Sequence, residues 1–369
     1  MKFHWPSKKT MALLCGGSLL GGFFFFLWVR EFGPFDEARL AELPESSVLL
    51  DHKGKLLFAT VGSDDQWRLP VPLEEMSPWF VKATLALEDE RFHSHPGVDP
   101  LSILRAAASN IAAGRVVSGA STVDMQVCRM LEGGPRTLPR KLLEAGGALR
   151  LNALRNKKEI LEIYLNLAPY GGNLRGVEAA ARSYFSKRSA ELSLAEAALL
   201  AGLPQSPERL RPDRRLPAAL KRREKAFSRM VELGMISEKM AENARREPLK
   251  VRGGIPVRQR APHYSLCALA RRPQGGSTLL QSDLQEKVER LQRAHLRRFP
   301  HGIESAVVLI EIETGAVAAM AGSTDFRDPV DGQVNGALAP RSPGSALKPF
   351  VYAAAMEQGR IAHDTVLKD

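Results

Sequence analysis

Glu88 is the side chain of this sequence best placed to act as a general base. In a helix over residues 79–97, Glu88 joins an apolar stripe formed at helical spacing by Val81, Leu85 and Phe92. A carboxylate on the interior side of a helix is partly removed from water, which suits proton abstraction. Asp89 and Glu90 are expected to point elsewhere, into solvent. The same pattern also fits a glutamate at the rim of a helix, paired with an arginine.

The segment 118–131, SGASTVDMQVCRML, predicts a second helix. Ser121 or Thr122 can cap its first turn. Its predicted buried stripe consists of Val123, Val127, Met130 and Leu131. Gln126 flanks that stripe, where its amide could reach a sugar or phosphate oxygen. Taken alone, the segment indicates a capped helix and nothing more.

Arg140, Lys141 and Glu144 follow within about one helical turn, in LPRKLLEAGGALRL. Arginine offers forked donors and lysine a point charge, so Arg140 and Lys141 could together hold a pyrophosphate. Glu144 would supply a second carboxylate. The alternative is a solvated helix face with an Arg140–Glu144 pair at i, i+4.

Ser345 and Lys348 form an S-x-x-K pattern, a nucleophile with its activating lysine. Acyl-transfer sites of this kind also need an S-x-N element and a K-T-G strand. The 369 residues contain no Ser-x-Asn and no Lys-Thr-Gly or Lys-Ser-Gly. We therefore expect Ser345 and Lys348 to be correct residues in an incomplete site.

The elements that must position these side chains change character along the chain. Residues 35–80 predict short strands with a hairpin at Lys53-Gly54. Residues from 78 to about 249 predict helices, with capping boxes at Asn156–Glu159 and Ser193–Glu196. A stretch rich in Pro, Gly and Arg then predicts a linker. A charged helix and two apolar strands around Thr314-Gly315 follow, which indicates the opening of an α/β domain.

The N-terminal run 11–29 carries no charge and would span roughly 28 Å as a helix, close to the thickness of a bilayer core. Lys2, Lys8 and Lys9 precede it, so the amino end is expected to stay inside the cell. A cleaved signal peptide is the alternative, but no small-x-small site follows the run. A lipobox at Cys15 fails, because Leu14 is not small.

Composition bears on the binding partners of the chain and on the roles of its cysteines. The net charge of +11 and pI near 9.7 indicate an anionic partner. An extracytoplasmic chain would not meet nucleic acid, so we expect no nucleic-acid partner. The three cysteines, Cys15, Cys128 and Cys267, show no disulfide or zinc spacing.

Four segments, read in chain order, resemble the successive motifs of the peptidoglycan glycosyltransferase domain, glycosyltransferase family 51. They are EDERFHSHPG, GASTVDMQ, RKLLE and KKEILEIYLNLAPYG. This domain occurs in class A penicillin-binding proteins and in monofunctional transglycosylases. The variants GVDPLSILRA and STVDMQV look most similar to the 1C branch of class A. RSPGSALKPFVYAAAME, in its context, resembles the start of their transpeptidase domain, so Ser345 and Lys348 would be a vestigial transpeptidase site.

The resemblance implies a mainly α fold. A lysozyme-like helical glycosyltransferase domain would stand behind one N-terminal transmembrane helix, followed by the incomplete start of an α/β penicillin-binding transpeptidase domain. The implied limits are 1–10 for a cytoplasmic tail, 11–29 for the anchor, 48–249 for the glycosyltransferase domain, 250–278 for the linker and 279–369 for the transpeptidase fragment. The catalytic domain would lie in the periplasm, anchored to the bacterial inner membrane by a single pass with its N-terminus inside.

The activity implied is polymerisation of lipid II into β-1,4-linked glycan with release of undecaprenyl pyrophosphate. Partners would be lipid II, the growing strand, the membrane and other wall-synthesis proteins. Glu88 would be the general base, and Glu144 would lie near the donor pyrophosphate with Mg²⁺ or another divalent cation; no organic cofactor is implied. The resemblance also implies substrate-binding positions at Asp89, Phe92, His95, Ser121, Thr122, Gln126, Arg140 and Lys141, and an architectural fourth motif with Lys157, Glu162, Tyr164 and Asn166.

Two details of the motifs depart from plain expectation. The second motif commonly ends in two glutamines, but Met125 precedes Gln126, and Asp124 replaces a usual neutral residue. Helical spacing points Asp124 away from the neighbours of Gln126 on the buried stripe, so we expect little effect on activity.

His93 and His95 do not form a recognised metal spacing with nearby carboxylates. The segment 98–115 predicts either a helix in the membrane surface or an ordinary core helix.

Two other classes remain open from the sequence. A lytic muramidase also uses a buried glutamate, and is separated by its substrate, finished wall instead of lipid II. A non-catalytic wall sensor would bind a peptide or β-lactam, and covalent labelling of Ser345 by penicillin would distinguish it.

Overall fold

The computed structural model describes residues 24, 26–31, 33–115, 119–135, 137–257, 259–300 and 302–366. The predicted anchor, 11–29, lies outside the described residues apart from 24 and 26–29. Among the residues that are described, none of the helices has both the length and the apolar character needed to cross a bilayer.

Helices dominate the described chain. They are α1 Ala38–Ala41, α2 Pro78–Glu88, α3 Pro100–Ala113, α4 Val123–Glu132, α5 Leu138–Leu154, α6 Lys157–Leu167, α7 Val177–Phe185, α8 Leu194–Ala201, α9 Pro212–Glu232, α10 Glu238–Arg246, α11 Pro262–Arg271, α12 Ser282–Leu296 and α13 Lys348–Glu357. Short 3-10 turns cover Leu73–Glu75, Phe92–Ser94, Ser189–Glu191 and Gly344–Leu347.

The strands are short. They are β1 Val48–Leu50, β2 Leu56–Ala59, β3 Trp67–Arg68, β4 Leu174–Arg175, β5 Gly275–Ser277, β6 Val307–Ile310 and β7 Val317–Ala321. The sheets have the order β2-β1-β5, β3-β4 and β6-β7. β3 pairs with β4 in parallel and β6 with β7 antiparallel. The predicted hairpin around Gly54 is confirmed: β1 and β2 are neighbours, and Gly54 has φ +74°.

The chain divides into two compact units. The first comprises residues 1–49, 58–259 and 274–276; the second comprises 50–57, 260–273 and 277–369. In the first unit, α2, α8 and α9 pack against one another, and α4 packs on both α5 and α6. Their shared core includes large buried side chains such as Phe80, Leu151, Tyr164 and Phe227.

Local sequence explains where several of these helices begin. The predicted capping boxes at Asn156–Glu159 and Ser193–Glu196 are both present. Thr122 caps α4 by accepting the N–H of Met125 at 3.2 Å, as one of the two predicted caps. Each cap satisfies a backbone donor that the first turn leaves without an intrahelical partner.

The predicted stripe through Glu88 was partly wrong. Helix α2 ends at Glu88, and Asp89 leaves the helical region with φ −161° and ψ 80°. Phe92 therefore lies in a separate 3-10 turn. The buried face of α2 is formed by Phe80, Ala83, Thr84 and Ala86, one position away from the predicted stripe.

In the second unit, α11 and α12 pack on β7. The core there is small, with Val288, Ala319 and Ala321 at its centre. The strand pair predicted around Thr314-Gly315 and the charged helix before it are confirmed. The predicted linker 250–278 is not wholly irregular, because it contains α11 and β5.

Candidate functional site

Glu88 stands at the last position of α2 with a side chain that is 13% exposed. Its Oε2 accepts a hydrogen bond from Gln126 Nε2 of α4 at 2.9 Å. Its Oε1 lies 4.0 Å from a guanidinium nitrogen of Arg222, on α9. Burial lowers the pKa of Arg222, and the negative charge of Glu88 opposes that shift. A carboxylate fixed between an amide and a guanidinium has the restricted geometry that proton abstraction requires.

Tyr164 of α6 completes the surroundings of Glu88. Its phenol is buried, and among the described residues its hydroxyl has no hydrogen-bond partner. Burial raises the pKa of Tyr164 well above its usual value, and the charge of Glu88 raises it further. The hydroxyl is therefore a neutral donor close to the carboxylate.

Asp89 was expected to be solvated, but its side chain is buried, as is that of His95. Contact of these two residues with substrate stays a prediction. His95 Nε2 lies 3.0 and 3.1 Å from the Asp89 carboxylate oxygens. The N–H of Gly97 donates to His95 Nδ1 at 3.2 Å, so the proton on Nε2 is the one shared with Asp89. Asp89 Oδ2 also accepts the N–H of Val123 at 3.0 Å. The pair thus binds the start of α4, and its polar atoms are taken by the protein itself.

Gly97 allows the first motif to approach α5 closely. Its φ is +104°, and a Cβ there would lie 2.3 Å from the carbonyl oxygen of Ala148. Its own carbonyl accepts a 2.6 Å hydrogen bond from the hydroxyl of Thr122. The predicted site residue Thr122 is therefore a buried structural contact, whereas Ser121 beside it is half-buried.

Asp124 contradicts the expectation that it points harmlessly away, because its side chain is fully buried. Its two carboxylate oxygens each lie 3.1 Å from Nζ of Lys157, and Asn152 donates to Oδ1 at 3.1 Å. Burial raises the pKa of Asp124, and the charge of Lys157 opposes the rise. The reason is that α5 and α6 cover opposite sides of α4, so six consecutive residues from Val123 to Cys128 are buried.

Phe92, which was predicted on the apolar stripe, is buried. The ammonium of Lys157 lies 4.4 Å from the centroid of its ring. A cation at that distance over an aromatic face is attracted by the ring quadrupole. Asp89, Phe92 and His95 thus hold the site together, and their contact with substrate stays a prediction.

The predicted pyrophosphate residues lie along α5. Arg140 donates from Nη2 to the carbonyl oxygen of Glu132 at 3.0 Å, while its Nε has no partner among the described residues. Lys141 is exposed, and Glu144 is buried. Arg140, Glu132 and Leu143 line a cavity of about 580 Å³ with Cys128 and the stretch 33–36. Burial raises the pKa of Cys128, and the charges of Glu132, Asp124 and Glu144 raise it further.

The described residues contain one cluster with three potential metal ligands, formed by Asp89, His95 and Asp124. The oxygen atoms that could bind a metal already accept hydrogen bonds from Val123, Lys157 and Asn152. The Lys157 ammonium thus supplies the positive charge that a metal ion would bring. The cluster therefore does not fit a metal ion. Glu144 is not part of it, so a divalent cation near Glu144 stays a prediction.

Two fourth-motif residues attach α6 to the segment before α2. Glu162 Oε2 accepts the N–H of Leu73 at 2.8 Å. Asn166 accepts the N–H of Val71 at 3.1 Å and donates to its carbonyl at 2.9 Å. These contacts are architectural, in line with the prediction for Glu162 and Asn166.

Ser345 lies in the 3-10 turn before α13, and Lys348 begins that helix. Both side chains are exposed, and α13 has no buried residue among those described. The predicted opening of a helix at Ser345 is confirmed.

Sequence reasoning missed Arg129 and Arg222. Arg129 donates to Gln126 Oε1 at 3.2 Å, and Gln126 in turn donates to Glu88. Arg222 follows Ala219 by three residues and precedes Ala226 by four, and both alanines are buried. The position of Arg222 at helical spacing from two apolar residues could therefore have predicted that its side chain faces the interior.

Two protein-family models match this chain. Residues 53–231 match the family model for Transglycosylase, and residues 305–369 match that for the penicillin binding protein transpeptidase domain. Penicillin-binding protein 1C of Escherichia coli is 38% identical over 332 residues, which are 89% of this chain and 43% of that protein. Penicillin-binding protein 2D of Bacillus subtilis is 32% identical over 353 residues, 90% of this chain and 50% of that protein.

Penicillin-binding protein 1A of Aquifex aeolicus is 41% identical over 210 residues, 57% of this chain and 28% of that protein. A solved structure of penicillin-binding protein 1A from Haemophilus influenzae aligns with 86% of this chain and 53% of that chain, at 20% identity and a TM-score of 0.35. The chain spans half or less of the length of these curated relatives.

The helical first unit and its Glu88 site define a transglycosylase domain. Since a region that matches the penicillin binding protein transpeptidase domain follows it, the chain is similar in both parts to the class A penicillin-binding proteins.

Proposed function

We propose that this chain is a peptidoglycan glycosyltransferase that polymerises lipid II. The observation that carries the proposal is the position of Glu88, fixed by Gln126 at 2.9 Å and facing Arg222 at 4.0 Å within the region that matches the transglycosylase family. The muramidase and sensor alternatives are not favoured by that match.

In the proposed reaction, Glu88 removes the proton of the acceptor's GlcNAc 4-hydroxyl. The oxygen forms a bond to the anomeric carbon of the donor, and the bond from that carbon to the pyrophosphate oxygen breaks with its electron pair. Attack from the opposite face converts the α-linked donor into a β-1,4 linkage. The proton ends on Glu88, and undecaprenyl pyrophosphate leaves.

The leaving group gains negative charge, so cations near it lower the barrier. Arg140 and exposed Lys141 are the residues we assign to this role, and the Arg140 Nε has no protein partner among the described residues. Glu144, one turn further along α5, lies beside them in the sequence and is buried. We assign it to the donor side of the site.

We also propose that the first unit lies on the membrane, with residues 11–29 as its anchor. Helix α3 exposes Leu101, Leu104 and Ile111, at 61%, 66% and 82%, and buries only Ala106. On α5, Leu138 and Leu142 are similarly exposed, at 73% and 69%. Exposed apolar side chains at this density suit a lipid interface better than water.

The test replaces Glu88 by glutamine, which keeps size and hydrogen bonding but removes the base. We expect loss of polymer from labelled lipid II on a product gel, with an unchanged circular dichroism spectrum and melting temperature. Glu90→Gln is the matched control, since Glu90 is a nearby carboxylate engaged by Arg105 at 2.7 Å. Glu90→Gln should keep polymerising. Polymer from Glu88→Gln at the wild-type rate would exclude Glu88 as the base.

A further inference from the structure

Asp124 is the residue at which this chain departs from the usual second motif, and it lies where three helices meet. It belongs to the first turn of α4, its partner Lys157 begins α6, and Asn152 comes from the last turn of α5. The ammonium of Lys157 is within 3.1 Å of both Asp124 oxygens. The Asp124 carboxylate is fully buried and the Lys157 side chain is 19% exposed, so the carboxylate depends on the lysine for its counter-charge in the interior.

The same lysine reaches the segment that carries the base. Lys157 Nζ lies over the ring of Phe92, which stands in the turn just after Glu88. On its other side it holds Asp124, two residues before Gln126 on the same helix. The Asp124–Lys157 pair therefore joins the two segments that meet at the Gln126–Glu88 hydrogen bond.

We propose that Asp124 is a positioning residue: its ion pair with Lys157 fixes α4 in the register that brings the Gln126 amide onto Glu88. This inference rests on the proposed glycosyltransferase function. A helix is stiff over a two-residue separation, so loosening the Asp124 contact displaces Gln126 as well. Small displacements of groups around a reacting centre have large effects on rate.

The test is a double-mutant cycle on lipid II polymerisation, with Asp124→Asn, Gln126→Ala and the two combined. We expect Asp124→Asn to lower kcat about 10-fold or more while KM changes little. In the Gln126→Ala background the same change should have no further effect, since the contact it positions is already gone. An equal loss of kcat in both backgrounds would overturn the proposal, because Asp124 would then act independently of Gln126.

A second variant guards against simple unfolding. Asp124→Asn with Lys157→Met removes both charges, so no ammonium is left without its carboxylate partner. We expect its melting temperature to recover toward wild type while kcat stays low. If kcat recovers with stability, Asp124 contributes only to folding and the proposal fails.

Glu196→Gln is the control for a buried carboxylate that pairs with a more exposed lysine, since Glu196 is buried and Lys187 Nζ lies 2.8 Å from it. It should lower stability without lowering kcat per folded molecule. The wild-type reaction separates the two hypotheses. Absence of polymer from the wild-type chain would count against the proposed function, whereas wild-type activity with an unaffected Asp124→Asn would count only against this inference.

Discussion

At the scale of single residues, Glu88 is defined by groups from three other helices. Gln126 of α4 donates to one oxygen, Arg222 of α9 faces the other, and the buried Tyr164 hydroxyl of α6 lies nearby. A glutamate side chain has few allowed rotamers left once one of its oxygens is held by a hydrogen bond. The remaining oxygen is therefore the one available to an acceptor hydroxyl.

Arg222 is expected to contribute to the rate as well as to packing. It is only 13% exposed and is the cation that faces Glu88, so Arg222→Met removes the charge on that side of the carboxylate. We expect kcat for lipid II polymerisation to fall about 10-fold or more, with partial recovery in Arg222→Lys. The measurement is steady-state kinetics on protein whose folded fraction is checked by melting.

Arg223→Met provides the control for Arg222, because it removes a neighbouring buried arginine that pairs with Glu224 and lies over the Phe227 ring. Its melting temperature should drop while kcat remains close to wild type. Equal kcat for Arg222→Met and wild type would show that the 4.0 Å contact has no part in the reaction.

At the scale of elements, the site forms where the end of α2 contacts the start of α4. The residue after α2, Asp89, accepts the N–H of Val123 at the start of α4. A carboxylate at a helix N-terminus is favoured by the orphan donors and by the helix dipole. This contact, with the Thr122 hydroxyl on the carbonyl of Gly97, sets how the second motif meets the first.

Helix α3 should be sensitive to acid through its cap. Asp99 accepts the N–H groups of Leu101 and Ser102 and pairs with Arg91 at 2.7 Å. Burial raises the Asp99 pKa, but the hydrogen bonds from Ser102 and the pairing with Arg91 outweigh it, so the pKa falls to about 2. A depressed pKa contributes stability above the unfolded value near 3.8, and that contribution disappears as pH falls toward 2.

We therefore expect Asp99→Ala to cost about 2 kcal/mol of unfolding free energy at pH 7. The difference between variant and wild type should shrink between pH 4 and about 2, as measured by denaturant unfolding. Ser237→Ala is a control, since it removes a helix cap without an ionisable group. A cost for Asp99→Ala that is independent of pH would exclude the ion pair as its source.

The exposed apolar side chains of α3 lead to a prediction about membranes. In a variant without residues 1–29, whose proposed anchor would otherwise dominate the binding, Leu104→Glu with Ile111→Glu places two charges where we propose lipid, so binding to vesicles should weaken at least several-fold. Ile255→Glu, at a position 62% exposed elsewhere in the first unit, should leave binding unchanged. Flotation with vesicles of phosphatidylglycerol and phosphatidylethanolamine gives the measurement. Equal binding by all variants would remove α3 from the interface.

Local features of the fold were predictable because their causes are local. The capping boxes at Asn156 and Ser193, the turn at Gly54 and the strand pair around Gly315 all depend on a few adjacent residues. The burial of Asp124 and the approach of Arg222 to Glu88 were not predictable in this way. Both features depend on which other helices pack on α4 and α2. Helical periodicity alone predicts a single buried face for a helix, whereas α4 packs on both α5 and α6 and is buried on more than one face.

At the scale of the whole chain, charge and motif content point in the same direction. The net charge of +11 suits the anionic lipid-linked substrate and the anionic membrane surface that we propose. The chemistry that the first unit can support is fixed by Glu88 and its partners. The second unit carries Ser345 and Lys348 on an exposed turn and helix start.

Ser345 is not expected to react with β-lactams in a protein of these 369 residues. Acylation needs the serine and lysine together with an S-x-N element, and a K-T-G strand that forms one wall of the cleft and part of the oxyanion hole. Ser345 and Lys348 are both exposed, and the sequence contains neither of the other elements. Fluorescent penicillin should therefore leave the chain unlabelled on a denaturing gel, at a concentration that labels a complete class A protein. Labelling that disappears in Ser345→Ala would contradict this, and would show that a serine and lysine on a helix start suffice for acylation here.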